Sequence, residues 1–191
     1  MKILNYKNKS FDRQLDQFLS IRKSKVQSSS ISVTKIIKDV KKNGDKALLK
    51  YEKRFSKNST IDPTKKQILK LIKSLDKEVK QAIDIAYDRI FKFHSLQKVK
   101  NISYTDKFKN KIEYKYLPIE SVAIYVPGST ASYPSSVLMN AIPAIVAGVK
   151  RIVMINPSYK GKQNSAVLYA AKKCKIKEIY SIGGPAAIAA A

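Results

Sequence analysis

Residues 120–157, ESVAIYVPGSTASYPSSVLMNAIPAIVAGVKRIVMINP, change pattern repeatedly, and those changes decide the fold. ESVAIYVP is a short, nearly continuous apolar run, as expected of a strand in a parallel sheet. PGST interrupts it, YPSSVLMNAIPAIVAGV reads as a helix, and KRIVMINP as a second strand. Pro134 suits the first helical position, where a missing N–H costs nothing, whereas Pro143 removes a donor inside the helix and predicts a kink. Downstream, QNSAVLYAAKKC at 163–174 reads as a helix, IKEIYSIGG at 176–184 as a third strand and PAAIAAA at 185–191 as the opening of another helix. Strands buried on both faces and alternating with such helices predict a parallel β-α-β-α-β-α unit with right-handed crossovers. Three strands and a helix just begun leave a sheet edge uncovered, so the chain is expected to be the front portion of a longer one.

Upstream the period changes to that of helices. ISVTKIIKDVKKNGDKALLKYEKRF at 31–55 places Val33, Ile36, Ile37 and Val40 on one face, and Ala47, Leu48 and Tyr51 resume it after Gly44, as two helices or one interrupted helix. In DPTKKQILKLIKSL at 62–75, Pro63 marks a helix start and Ile68, Leu71, Ile72 and Leu75 form a stripe. DKEVKQAIDIAYDRIFKFHSLQ at 76–97 continues with Val79, Ile83, Ala86, Tyr87, Ile90 and Phe91, with Asp76 as the candidate N-cap. NKIEYKYLPI at 110–119 then alternates Ile112, Tyr114 and Tyr116 with charged residues, which predicts a half-buried strand in a short strand pair near 102–117. The chain therefore divides into a mainly helical region, 1–117, and an incomplete α/β region, 118–191.

Composition narrows the function. The formal charge is +24 over 191 residues, but only five of the 38 basic residues are arginine, which leaves 33 lysines. Phosphate and base recognition favour the guanidinium fork, so a lysine excess spread over helices reads as solvated surface rather than a specific nucleic-acid face. Residues 1–117 carry net +18 and residues 118–191 net +6, so the charge lies away from the glycine-containing loop. The charge by itself leaves open a third reading, a lysine-rich nucleic-acid binder. No run approaches eighteen apolar residues and no signal segment is evident at the N-terminus, which predicts a soluble cytoplasmic protein without membrane contact. Cys174, the single cysteine, reads as a packed apolar residue near a helix end.

The strand–turn–helix around Gly128 lies where open α/β sheets bind ligands, at the carboxyl edge, with first-turn N–H groups near Ser135 and Ser136 favouring an anion. It matches neither GxGxxG nor GxxxxGK[ST], so a tight connection and a nucleotide crevice both remain open on these residues. Gly183 and Gly184 stand on the same edge and allow close backbone approach. Tyr125, at a strand end, reads either as rim packing or as a ligand-stacking aromatic. Catalytic chemistry is poorly supplied. His94 is the lone histidine and reads as a packed imidazole, and Asp84 with Asp88 as helix-surface ion-pair partners. One His and one Cys far apart provide no metal-ligand spacing and no nucleophile triad, so neither a catalytic nor a metal residue is assigned.

Four blocks carry a resemblance: PIESVAIYVPGSTASYPSSVLMNAIPAIVAGVKRIVMINP at 118–157, GDKALLKYEKRFSK at 44–57, AYDRIFKFHSLQ at 86–97 and EIYSIGGPAAIAAA at 178–191. Their order and content resemble the first half of the histidinol dehydrogenase family. The resemblance implies a Rossmann-like unit and an NAD- and zinc-dependent oxidation of L-histidinol through L-histidinal to L-histidine, in histidine biosynthesis. It implies an NAD contact at Tyr125, a homodimer, and zinc ligands and general bases that lie beyond Ala191, so that this segment is expected to be inactive alone. Two positions depart from the family pattern. Ala186 stands where the family has an NAD-binding glutamine, a loss of about 1–3 kcal/mol for that contact, and Ser129 replaces the second glycine of PGGT. A non-catalytic nucleotide-binding scaffold is the alternative function.

Overall fold

A computed structural model describes residues 6–128 and 133–191, with the side chains of residues 21–31 outside that description. The N-terminal region is helical, as its periodicity predicts. Helices α1 (Phe11–Asn43) and α2 (Asp45–Phe55) are two helices, separated at Gly44, whose φ of +52° is a conformation that residues with a Cβ avoid. Asp39 clips the pair together by accepting from Asn43, Lys50 and Tyr51, and these partners hold its carboxyl down at about 2.

Helix α3 (Lys65–Lys73) starts two residues past Pro63, so the proline lies near the helix start as expected. Thr64 is its N-cap, in a reciprocal capping box with Gln67, and the hydroxyl-to-N–H bond defines the start more strongly than the proline does. Asp76 precedes α4 (Lys77–Leu96), but its side chain makes no cap bond. Strands β1 (Ile102–Thr105) and β2 (Lys111–Tyr114) form an antiparallel hairpin. It is not half-buried, since Ile112 and Tyr114 are 65% and 57% exposed. The alternation put the apolar side chains on one face, but no other described element covers that face.

The rest of the chain is the expected β-α-β-α-β-α unit: β3 (Ser121–Tyr125), α5 (Pro134–Ala147), β4 (Arg151–Ile155), α6 (Ser165–Lys173), β5 (Glu178–Tyr180) and α7 (Gly184–Ala190). The three strands are parallel in the order β3-β4-β5, with Tyr125 level with Ile155 and Ile155 with Tyr180. Pro134 occupies the first turn of α5, and the helix runs through Pro143 to Ala147. One sheet face, with Ile124, Val126, Met154 and Ile179, packs on α5 and α6, and α3 and α4 pack behind these helices through Ile72 and Ile83. Leu138, Ile142, Met154 and Leu168 are fully buried there, each favouring the folded state by about 1.5–3 kcal/mol of transfer free energy.

The strands are not buried on both faces. Along β3, Ser121, Ala123 and Tyr125 are exposed while Val122 and Ile124 are covered. Every crossover helix of a sheet built in one direction lies on one side, so the second face is covered only towards β5, where Ile155 and Ile182 meet Ala187 of α7 and Ile61. Helix α7 in turn packs on α1 and α2 through Ala186, Val40, Ala47 and Leu48.

Candidate functional site at the carboxyl edge of the sheet

The ends of β3, β4 and β5 converge on one edge, and backbone polar groups there are tied together by buried side chains. Asn156, just past β4, donates from its side-chain amide to the Val126 carbonyl at 3.0 Å, joining the exits of β3 and β4. Gly128 lies two residues beyond Val126. A Cβ on it would lie 1.9 Å from the Pro157 carbonyl oxygen, so this turn presses against the β4–α6 loop in a way open only to glycine. Both readings of the loop needed a glycine here, and the contact shows the reason.

Tyr125 ends β3 on the partly open face, 39% exposed, and its hydroxyl accepts from the Gly184 N–H at 3.4 Å. The ring therefore reaches over the exit of β4 to the β5–α7 turn, bringing together Tyr125, Gly183 and Gly184. Ser136 behaves differently from the expectation, because its N–H turns back to the Tyr133 carbonyl at 3.1 Å. Ala186 is buried against Val40, Ala47 and Leu48, where a methyl group fits. The replacement at Ser129 falls outside the described residues.

Five side chains that the sequence patterns do not single out, Glu52, Asn58, Ser158, Gln163 and Ser181, organise this edge. Glu52, in the last turn of α2, is only 2% exposed; its carboxylate accepts from the Gly183 N–H at 2.8 Å and from the Asn58 amide at 2.9 Å. Asn58 is also buried, accepts from the Gly161 N–H at 2.8 Å and points its amide at Ser158, while Gln163 donates to Ser181. One signal was present in the sequence: Glu52 follows Leu48 by four residues and so falls on the apolar stripe of α2, where an acid needs a partner. A cleft of about 440 Å³ lies beside this network, lined by Tyr51, Glu52, Pro157, Tyr159, Gly183 and Ala186.

The remaining candidates lie elsewhere. His94 is half-buried on α4, with Nδ1 2.7 Å from Gln97 Oε1 and its ring edge-on to Phe93, which is the packed imidazole expected. Cys174 is buried, and burial pushes its thiol up to about 12, which suits packing and not nucleophilic chemistry. Asp84 pairs with Lys173 at 2.9 Å and accepts from the Tyr169 hydroxyl at 3.0 Å, so its ion pair joins α4 to α6 instead of lying along one helix. Lys173, and then Tyr169, hold the Asp84 carboxyl below its ordinary value against the effect of burial. Among the described residues no three His, Cys, Asp or Glu side chains converge as a metal site.

A family model for histidinol dehydrogenase matches residues 19–191. The chain belongs to the histidinol dehydrogenase family. It is similar to the histidinol dehydrogenase of Pelagibacter ubique (strain HTCC1062), with 79% identity over 190 residues that cover 100% of this chain and 44% of that protein. It is 42% identical to histidinol dehydrogenase from Rhizobium meliloti (strain 1021) over 191 residues, 98% of this chain and 44% of the relative. The crystal structure of histidinol dehydrogenase from Elizabethkingia anophelis superposes with a TM-score of 0.79 at 36% identity, covering 84% of this chain and 38% of that one. The chain thus spans less than half the length of the histidinol dehydrogenases it matches, and within that span the family's fold is present.

Proposed function

We propose that this chain supplies one wall of the NAD site of a histidinol dehydrogenase that oxidises L-histidinol through L-histidinal to L-histidine. The observation that carries the reading is the position of Tyr125, a partly exposed aromatic at the carboxyl edge whose hydroxyl touches the Gly183–Gly184 turn. Residues 118–191 would form the NAD-binding region and residues 1–117 the helical region that supports it.

The residues at this edge fit a dinucleotide wall. Gly128 and Gly183 both pack directly against Pro157, where a Cβ would crowd it, so the three strand exits close into one continuous edge, and the Tyr125 ring offers that edge an apolar face with a polar tip. NAD, when bound, supplies the hydride acceptor. The residues of this chain would orient it through Tyr125 and the glycine turn. Zinc is different. No described group of side chains fits it, so no step is assigned to a metal here, and its ligands would come from elsewhere in the complete enzyme. We further propose a homodimer working in the cytoplasm on a small substrate, with no specific nucleic-acid partner. No helix among the described residues is long and apolar enough to cross a membrane.

The test uses the full-length polypeptide with zinc, NAD and L-histidinol. NADH formation is expected, and Tyr125→Ala is expected to weaken NAD binding by about tenfold by calorimetry, the scale of one lost aromatic contact. NAD binding without turnover in the presence of zinc would favour the scaffold reading instead.

A further inference from the structure

We propose that Glu52 is a positioning residue of the nucleotide crevice, its buried carboxylate setting the two loops that meet Tyr125; the proposal rests on the NAD reading above. A carboxylate 2% exposed is costly to bury unless its oxygens are hydrogen-bonded. Here the partners are neutral. One oxygen takes the Gly183 N–H and the other the Asn58 amide, and none of the ion pairs among the described residues includes Glu52.

The two bonds have separate consequences. Gly183 and Gly184 are consecutive, and their N–H groups are shared between Glu52 at 2.8 Å and the Tyr125 hydroxyl at 3.4 Å. The turn is therefore held from both sides, with Glu52 the stronger and buried anchor. Through Asn58 the same carboxylate reaches the β4–α6 loop, because Asn58 accepts from Gly161 and faces Ser158. That loop includes Pro157, whose carbonyl sets the space around Gly128. Glu52 thus acts on the exit of β5 directly, on the exit of β4 through Asn58, and on the exit of β3 through Pro157.

The experiment compares full-length Glu52→Ala, Glu52→Gln, the double variant Glu52→Gln with Asn58→Asp, and Asp84→Asn as a control on the far side of the sheet. NAD affinity, KM for NAD against kcat, melting temperature and amide exchange at Gly183, Gly161 and Met154 are measured. Glu52→Gln must set its amide N–H₂ against either the N–H₂ of Asn58 or the Gly183 N–H, and the resulting donor–donor repulsion displaces the side chain from both, while Glu52→Ala leaves Gly183 without an acceptor. Both are expected to raise the NAD Kd and KM about tenfold with kcat at saturating NAD within about twofold, and to speed exchange at Gly183 while exchange at Met154 stays slow. The double variant restores a donor–acceptor pair and is expected to recover part of the affinity. Asp84→Asn is expected to lower the melting temperature without moving Kd.

Wild-type affinity and wild-type Gly183 exchange in Glu52→Gln would overturn the proposal. So would a loss of affinity in Asp84→Asn equal to that in the Glu52 variants at equal loss of melting temperature, since that describes general destabilisation. If Glu52→Ala does not fold, the nearly isosteric Glu52→Gln decides. Failure of the wild-type protein to bind NAD would instead remove the NAD reading, and the positioning role with it.

Discussion

A methyl group at Gly128 has nowhere to go. Its Cβ would sit 1.9 Å from a backbone oxygen of the neighbouring loop, and backbone moves less readily than a side chain. Gly128→Ala is therefore expected to cost about 1–3 kcal/mol as an overpacking substitution, read as a lowered urea midpoint with unchanged slope. A midpoint equal to wild type would show that the Pro157 loop yields freely. The glycine was conspicuous in the sequence, but its necessity was not, because Pro157 lies 29 positions away and only the register of β3 on β4 brings them together. Tyr125 was legible as a candidate from its place at a strand end and from the family resemblance. Glu52 and Asn58 were not legible as a site, since their partners lie up to 131 residues further along the chain.

The α4–α6 tether makes a prediction about elements. Lys173 holds the Asp84 carboxyl below its ordinary value of 3.8, and a carboxyl with a lowered folded pKa stabilises the protein above its unfolded pKa. That contribution is lost as the pH falls through the lower, folded value. Asp84→Asn is expected to be less stable than wild type at neutral pH by under about 1 kcal/mol, since the pair is partly exposed, and the two stabilities should converge below the ordinary carboxylate range. Melting curves at neutral and acid pH check this; a gap that persisted in acid would assign the effect to packing. The β1–β2 hairpin carries the opposite lesson. Its alternation correctly predicted a strand, yet burial needs a second surface, and no local pattern reports whether one is present.

Over the whole molecule, the net charge of +24 invites a nucleic-acid assay. With 33 of the 38 cations lysine, the expected result is weak binding at physiological salt with little preference for sequence. Tight, sequence-selective binding that survives rising salt would contradict it. The element order, the parallel sheet and the family were determined by the sequence itself, because helical stripes, strand runs and motif blocks are local patterns that each segment carries independently. Which sheet face stays open, which glycine is pressed against which carbonyl, and which buried acid holds the loops beside Tyr125 were decided only by the tertiary structure. Those properties depend on the strand order β3-β4-β5 and on α2 docking at its carboxyl edge, and such long-range juxtapositions are set by the packing of the whole core, not by any one segment.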